Sequence, residues 1–223
     1  MIFKARSSQV YRLMTKPQKK DNILSKTTIA YLQEWFLEKK YGFKKEIESK
    51  YFTKGNECES LSINLASIYF NDVFQKNDEF FENDFITGTP DVIKDNIVYD
   101  VKTSWNITTF PFFEDEAPPE YMWQGQSYLW LTGLECFKLC YCLINTPDHL
   151  IQDEIRKYCW KNNIMDCPDE LEQEIRNQHV YDNIPIEQRI KVIEIFRDND
   201  KIKQIEEQVI KCREYLQQSE IKL

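Results

Sequence analysis

The stretch from Gly88 to Trp105 holds the side chains of this sequence that are best suited to chemistry. A carboxylate, Asp91, follows a Gly-Thr-Pro corner, and a second carboxylate, Asp100, precedes Lys102 by two residues. Because side chains alternate between the two faces of a strand, Asp100 and Lys102 are predicted to point the same way. Two carboxylates and an ammonium in one small volume suit a hard divalent cation that faces a phosphodiester.

A hairpin is predicted to bring these charges together. Val92–Lys94 and Ile97–Thr103 have the composition of its two strands, and Asp95-Asn96 has the composition of the tight turn between them. In this arrangement Asp91, just before the first strand, comes close to the carboxylate and the ammonium on the second strand.

A further carboxylate is expected from a helix that precedes the hairpin. The segment Gly-Asn-Glu-Cys-Glu lies near the start of a helix predicted over residues 54–71, and it offers Glu57 and Glu59. Glu59 is the preferred candidate, and Glu57 is interpreted as a solvated neighbour. A carboxylate on such a helix can lean over an adjacent sheet and bind a cation there.

Hydrophobic periodicity predicts the elements that position these groups. A continuous apolar run over residues 137–144 predicts a strand buried on both faces, and a later strand is predicted over Ile190–Phe196. A helix over residues 120–132 is a crossover long enough to make the strands on either side of it parallel. The other helices are predicted over residues 8–14, 25–40, 54–71, 150–162, 169–178 and 198–218, and residues 78–86 are predicted to be extended.

Charge is distributed unevenly along the chain. The 223 residues carry a net charge of −8, yet residues 1–54 hold 13 Lys and Arg against 5 Asp and Glu, and residues 55–223 hold 16 against 32. The basic residues of the first part include Lys16, Lys19, Lys20, Lys39, Lys40, Lys44, Lys45, Lys50 and Lys54. This asymmetry suggests a surface that faces a polyanion, although solvated helix faces would have the same composition.

Several classes of protein are disfavoured by composition. No apolar run is long enough to cross a bilayer, and the first residues lack the features of a secretory signal, so we expect a cytoplasmic protein with no membrane partner. The seven cysteines include no Cys-x-x-Cys pair, and they are expected to be reduced thiols rather than zinc ligands.

Four motifs, in this order, carry a resemblance to a known family. They are Gly55 with Glu59, the Gly-Thr-Pro-Asp that ends at Asp91, the Asp-Val-Lys that ends at Lys102, and the Gln-x-x-x-Tyr formed by Gln124 and Tyr128. Together they make residues 5–145 resemble the PD-(D/E)XK nuclease superfamily, and within it the phage lambda exonuclease and YqaJ-type viral recombinase group.

The resemblance implies an α/β (α+β) fold with a restriction-endonuclease-like core, in which a mixed β-sheet is flanked by helices. We expect the helices at residues 25–40 and 54–71 on one side of the sheet and the helix at residues 120–132 on the other. The whole chain is expected to form a single nuclease domain, with the motifs at residues 55–128 and a helical C-terminal part at residues 146–223.

The resemblance also implies roles at the site. Asp91 and Asp100 would be the central metal ligands, the backbone carbonyl of Val101 would add an oxygen, and Glu59 would bind the metal directly or through water. Lys102 would hold the attacking water and offset charge at the scissile phosphate. The implied cofactor is Mg²⁺, with Mn²⁺ as the alternative.

Other residues are expected to support the chemistry or bind the substrate. Gln124 would steady the catalytic lysine or its water, and Tyr128 would pack or hydrogen-bond behind it. Ser8 is a loose match to a serine that grips a phosphate in the family. The candidate substrate-binding residues are Ser8, Arg6, Tyr128 and Ser104.

The implied activity is exonucleolytic hydrolysis of DNA from an end, in phage-type recombination or DNA processing in the cytoplasm of a bacterial host. The implied partners are DNA ends, a single-strand annealing protein and further copies of the chain in a trimer. Two alternatives stay open. One is a structure-specific or defence endonuclease on the same fold, and the other is a non-catalytic DNA-binding or assembly protein.

Overall fold

The protein has two β-sheets that are surrounded by helices. The computed structural model describes residues 2–19, 21–44 and 49–219. Its strands are β1 (Ala5–Arg6), β2 (Phe81–Glu82), β3 (Ile86–Gly88), β4 (Val92–Lys94), β5 (Ile97–Thr103), β6 (Cys136–Cys142) and β7 (Ile190–Phe196). Its α-helices are α1 (Val10–Leu13), α2 (Lys26–Tyr41), α3 (Lys50–Phe70), α4 (Pro119–Thr132), α5 (Asp148–Lys161), α6 (Asp169–Asn177) and α7 (Asn199–Gln218).

The larger sheet has the strand order β4-β5-β6-β7. β5 and β6 run parallel, with Asp100 opposite Leu139, and the other two pairs are antiparallel. Asp95 and Asn96 have positive φ in the turn between β4 and β5, which Asn and Asp tolerate better than most residues. The predicted hairpin, the predicted parallel pair and the predicted fold class are therefore confirmed.

A smaller sheet has the strand order β1-β3-β2. It pairs the N-terminal segment with β3, the strand that leads into the Gly-Thr-Pro corner. β1 pairs in parallel with β3, so that Ala5 lies opposite Ile86. The segment predicted to be extended over residues 78–86 is regular only in β2 and at the first residue of β3.

Helices cover both faces of the larger sheet. The face under α4 buries the following side chains: Val98, Tyr128, Leu129, Phe137 and Leu139. The face under α3 buries side chains of opposite parity in the same strands: Tyr99, Val101, Cys140 and Cys142. β6 is apolar on both faces because each face has a helix or strand packed on it, as its continuous apolar run predicts.

The predicted position of α2 is wrong. We expected α2 beside α3, but the apolar stripe of α2, with Leu32 and Trp35, packs against Ile205 and Val209 of α7. Side chains from α1 and α4 complete the same cluster, so α2 belongs to the opposite side of the molecule from α3. The pattern of α2 shows that it has an apolar face, but it does not show which partner buries that face.

The start of α3 lies four residues before its predicted position. The side chain of Ser49 accepts a hydrogen bond from the backbone N–H of Phe52 and caps the helix there. Lys50, Tyr51 and Lys54 are therefore helical residues, and their spacing of three and four places them on one side of α3.

The C-terminal part is mainly helical, and it supplies the strand that is predicted over Ile190–Phe196. β7 pairs antiparallel with the whole of β6, and α7 packs Ile205 and Val209 into the core. None of the helices in the described part of the chain combines the length and the apolar character that a membrane crossing requires.

Candidate active site

β5 places a carboxylate and an amine on the face covered by α4. Asp100 is buried, with 1% of its side chain exposed, and Lys102 keeps 27% exposure. The Lys102 Nζ lies 2.6 Å from the Asp100 Oδ2. The alternation of the strand thus produces the pair that the Asp-x-Lys spacing predicts.

Asp91 joins this pair from the edge of the sheet. β4 pairs with β5 only from Val92 onwards, so the backbone of Val101 has no strand partner on that edge. The Asp91 Oδ2 accepts a hydrogen bond from the Val101 N–H at 2.7 Å. Because the N–H and C=O of one strand residue point to the same edge, the Val101 carbonyl also faces the side on which Asp91 lies.

α4 connects the buried carboxylate to the Gly-Thr-Pro corner. The Gln124 Nε2 donates to the Asp100 Oδ1 at 3.0 Å and to the Tyr128 Oη, one helical turn later, at 3.2 Å. The Tyr128 Oη in turn donates to the Thr89 carbonyl at 3.1 Å. These bonds fix the orientation of Asp100 relative to the chain segment that carries Asp91.

Gly88 is required by close packing at this corner. A Cβ atom at Gly88 would lie 2.6 Å from the Ser7 Oγ and 2.8 Å from a ring carbon of Tyr128. The Ser7 Oγ itself donates to the Thr87 carbonyl at 3.0 Å. Any larger residue would push Tyr128 away from its partners.

The electrostatics of the three charged groups favour an added cation. Burial, and then the charge of Asp100, raise the pKa of Asp91 to about 7, although Lys102 and the Val101 N–H oppose this shift. Burial alone would lower the pKa of Lys102, but Asp100 and Asp91 raise it above its usual value. The buried Asp100 Oδ2 has an ion pair with Lys102, and no hydrogen-bond donor among the described residues is aligned with it.

The helix carboxylates do not complete a cage around these two aspartates. Glu59 forms a 2.6 Å ion pair with Lys76, yet it lies close enough to Asp91 to contribute to the rise in its pKa. Glu57 lies 3.4 Å from the His149 Nε2. Within residues 2–19, 21–44 and 49–219, no group of three or more Asp, Glu, His or Cys side chains is close enough to hold a metal ion.

The candidate substrate-binding residues lie in different surroundings. Arg6 is exposed and forms two 2.5 Å contacts with the carboxylate of Glu38. Ser8 is exposed in a 3₁₀ turn, and the neighbouring Ser7 is the serine buried at the corner. Ser104 is buried, and its Oγ has no hydrogen-bond partner among the described residues.

Sequence reasoning missed the surroundings of two residues, Tyr121 and Lys54. Tyr121, one turn before Gln124 on α4, places its ring centroid 5.3 Å from the Lys102 Nζ. Lys54, which we had grouped with the polyanion-facing residues, is instead completely buried, and its Nζ donates to the Trp105 carbonyl at 2.8 Å. Tyr121 lies three residues before Gln124, and this spacing indicates that the two side chains share one face of α4. No sequence pattern indicates that a lysine is buried.

The basic N-terminal part is only partly available for an anion. Arg12 pairs with Glu34, and Lys50 pairs with Glu154 at 2.7 Å. Lys39 and Lys44 are exposed. Lys20 and Lys45 lie outside the described residues.

Solved structures resemble this chain along nearly its whole length. A phage-related exonuclease from Haemophilus somnus 129PT has 28% sequence identity and a TM-score of 0.78, over 98% of this chain and 95% of that one. An alkaline exonuclease from Laribacter hongkongensis has 17% identity and a TM-score of 0.67, over 97% and 89% of the two chains. The structure of that exonuclease in complex with dAMP has 18% identity and the same TM-score and coverage.

No protein-family model and no curated protein matches the sequence. The predicted resemblance to the PD-(D/E)XK nucleases of the lambda exonuclease type is confirmed by the solved structures. The two structures of the alkaline exonuclease show the shared fold. The phage-related exonuclease supports a nuclease, because its likeness extends beyond the fold to a sequence identity above one in four.

Proposed function

We propose that this chain, which shares its fold with phage-type exonucleases, is a divalent-metal-dependent exonuclease that hydrolyses DNA from an end. The observation that carries the proposal is the grouping of Asp91, Asp100 and Lys102 at one edge of β5. Hydrolysis of a phosphodiester needs positive charge at the phosphate and a positioned water, and this grouping can supply both.

The residues fit a hard divalent cation. Asp91 and Asp100 provide carboxylate oxygens, the buried Asp100 Oδ2 lacks an aligned donor, and the Val101 carbonyl faces the same edge. Such an all-oxygen set prefers Mg²⁺ or Mn²⁺ to softer ions. The bound ion would polarise the scissile phosphate and stabilise the negative charge that develops there.

The protein groups have separate tasks in this proposal. Lys102 stays charged at neutral pH, so that its ammonium can hold the attacking water and offset charge on the phosphate. Gln124 holds the Asp100 carboxylate in place through its amide. Glu59 would join the site as a ligand, directly or through water, on release from Lys76.

The substrate would lie along the face that carries Lys102. Ser104 directly follows β5, and its buried Oγ has no hydrogen-bond partner among the described residues. This hydroxyl would donate to a phosphate oxygen of a strand bound beside Lys102. Tyr128 would shape the corner beneath the DNA, and Ser8 and Arg6 are exposed at the N-terminal end where a strand terminus would be held.

We further propose that the protein acts in the cytoplasm, in phage-type recombination or DNA processing. It would act as a single nuclease domain, assemble as a homotrimer and work beside a single-strand annealing protein. Size measurement in solution and co-purification with a candidate annealing protein test these two assemblies.

The test of the activity is incubation with linear duplex DNA labelled at one end, with Mg²⁺ and with a chelator. We expect stepwise shortening with Mg²⁺, no shortening with the chelator, and no attack on a closed circle. Asp100→Asn should bind the DNA but leave it intact, because the amide cannot hold the cation.

Each rival function predicts a different result. Cleavage of a closed circle or of an end-blocked duplex would identify an endonuclease on the same fold. Binding without shortening under every metal condition, unchanged by Asp100→Asn, would identify a non-catalytic DNA-binding protein.

A further inference from the structure

We propose that a cleft between the start of α3, the segment after β5, α5 and α6 binds an unpaired nucleotide segment of the DNA strand. The proposal rests on the proposed function, because it assigns a second contact to the same substrate. The cleft has a volume of about 480 Å³, within the range of sites that hold organic ligands. We call it the α5–α6 cleft.

The α5–α6 cleft lies close to the candidate active site. One wall begins at Trp105, three residues beyond Lys102, which corresponds to roughly 10 Å along an extended chain. Another wall is the first turn of α3, and the nine helical rises between Lys50 and Glu59 amount to about 14 Å. These lengths are upper limits on the separations, so the cleft lies within the span of a few nucleotides of the active-site residues.

Two exposed rings line the cleft. Tyr51 is 58% exposed and Tyr158 is 45% exposed, although both are large aromatic residues. Trp105, which is buried, supports Tyr51 through an edge contact with ring centroids 5.7 Å apart. Exposed rings on a firm support are the platforms on which bases stack without regard to sequence. A base in a duplex has both faces covered, so these rings select an unpaired one.

Lysines of α5 provide contacts for phosphates. Lys157 and Lys161 are one helical turn apart on α5, and both line the cleft. Lys157 is 64% exposed, and its ion pair with a described residue is a 3.4 Å contact with Glu154, which also neutralises Lys50. Two carboxylates, those of Glu154 and Glu174, also line the cleft, and its three lysines outnumber them. Exposed ammonium groups beside aromatic rings are the combination that binds single strands.

The wall after β5 is rigid and polar. The Asn106 Oδ1 accepts from the Thr109 N–H, and the Thr109 Oγ1 accepts from the Asn106 N–H, both at 3.1 Å. Behind it, the Lys54 Nζ ties the Trp105 carbonyl to α3 at 2.8 Å. A wall that is fixed before binding loses little conformational entropy on binding, and its amide and hydroxyl groups can meet base edges.

The test measures binding of a fluorescent oligothymidylate of about twelve nucleotides by anisotropy, in a chelator so that no cleavage occurs. Tyr158→Leu and Tyr51→Leu should each weaken binding about tenfold, because stacking on one ring is lost. Lys161→Gln should reduce the slope of log K against log salt by about 0.7, the value for one phosphate on a single strand.

Matched controls lie elsewhere on the surface. Tyr69→Leu removes a 40% exposed ring at the far end of α3, and Lys203→Gln removes an exposed lysine on α7. Both should bind the oligonucleotide within twofold of wild type, and binding of a blunt hairpin duplex should not respond to Tyr158→Leu. Equal losses in Tyr69→Leu and Tyr158→Leu would overturn the proposal, as would an unchanged affinity of Tyr158→Leu.

The source of the nucleotide is tested with free dTMP as competitor. We expect that free dTMP, at the same concentration as the oligonucleotide that saturates wild type, does not displace the oligonucleotide. Displacement would assign the cleft to released mononucleotide instead. Since these measurements need no catalysis, a protein that never cleaves DNA can still confirm the cleft. If wild type cleaves DNA and Tyr158→Leu binds the oligonucleotide as tightly as wild type does, the proposed cleft is rejected and the proposed nuclease function is not.

Discussion

Two lysines on opposite sides of the larger sheet, the partly exposed Lys102 and the buried Lys54, differ in the charged groups that surround them. On the α4 face, Lys102 has the carboxylates of Asp100 and Asp91 beside it, and they raise its pKa against the opposing effect of burial. Beneath the α3 face, Lys54 has no carboxylate among the groups that shift its pKa, and burial lowers the value to about 8.

The difference shows what a backbone carbonyl and aromatic rings can and cannot do for a buried amine. The Lys54 Nζ has a hydrogen bond to the Trp105 carbonyl, and the ring centroids of Trp105 and Tyr181 lie 5.8 and 5.6 Å away. These contacts satisfy its geometry, but they do not replace the hydration of the charge. At Lys102 the carboxylates carry full negative charge, which replaces the lost hydration of the ammonium. Of the two lysines, only Lys102 is therefore suited to face a phosphate.

The largest expected effect comes from removing the paired amine. Lys102→Ala should lower DNA cleavage by about 10³-fold or more, because the water and the phosphate lose their positive contact at once. The measurement is the initial rate on end-labelled duplex, with circular dichroism to check folding. Lys138→Ala is the control, since Lys138 lies on the neighbouring strand with a 2.9 Å ion pair to Glu194. Digestion at the wild-type rate by Lys102→Ala would contradict the proposed role of the lysine.

A smaller effect is expected from the amide that holds Asp100. Gln124→Ala should lower activity by roughly 10- to 100-fold and raise the Mg²⁺ concentration for half-maximal rate, because the carboxylate loses its orientation. Gln126, on the same helix, is equally buried but bonds to the Phe196 carbonyl and the Asp198 N–H. Gln126→Ala should therefore lower thermal stability and leave the metal requirement unchanged. If both variants shift the metal requirement alike, Gln124 acts only through the packing of α4.

The unpaired amine is tested through the pH dependence of stability. The folded-state pKa of Lys54, about 8, lies below the ordinary value of 10.5, so the unfolded chain binds more protons between these pH values. Stability from this group therefore rises with pH across that window. From pH 7 to pH 10, the unfolding free energy of wild type should gain about 2 kcal/mol relative to Lys54→Met. Urea unfolding of both proteins measures the difference, and a constant difference across this range would show that the buried amine is not destabilised by its charge.

The sequence could predict the charged cluster because each step is local. The alternation of β5 aligns Asp100 with Lys102, and the Asp-Asn turn brings Asp91 within reach of both. These relations depend on spacings of two and about ten residues, which the hairpin geometry converts directly into distances.

The remaining features depend on partners that are distant in sequence. Lys54 is buried because Ser49 caps α3, which begins at Lys50, and because Lys54 packs beside Trp105, which lies 51 residues after it. Glu59 pairs with Lys76, and α2 packs on α7. These contacts also join residues that are distant in sequence. An amphipathic pattern predicts that a face of an element is buried, but which other element packs on that face depends on the whole fold.

The smallest expected effect concerns lysines that are neither buried nor paired in the described structure. Lys39 and Lys44 are exposed near the end of α2, in the part of the chain with net positive charge. If both contact phosphates, Lys39→Gln with Lys44→Gln should reduce the slope of log K against log salt by nearly two units for duplex DNA and weaken binding at low salt. Lys203→Gln with Lys211→Gln, on α7, removes the same charge from the acidic part and should leave the slope within half a unit of wild type. An equal change in both pairs would mean that net charge alone sets the affinity, and that the basic end has no special contact with DNA.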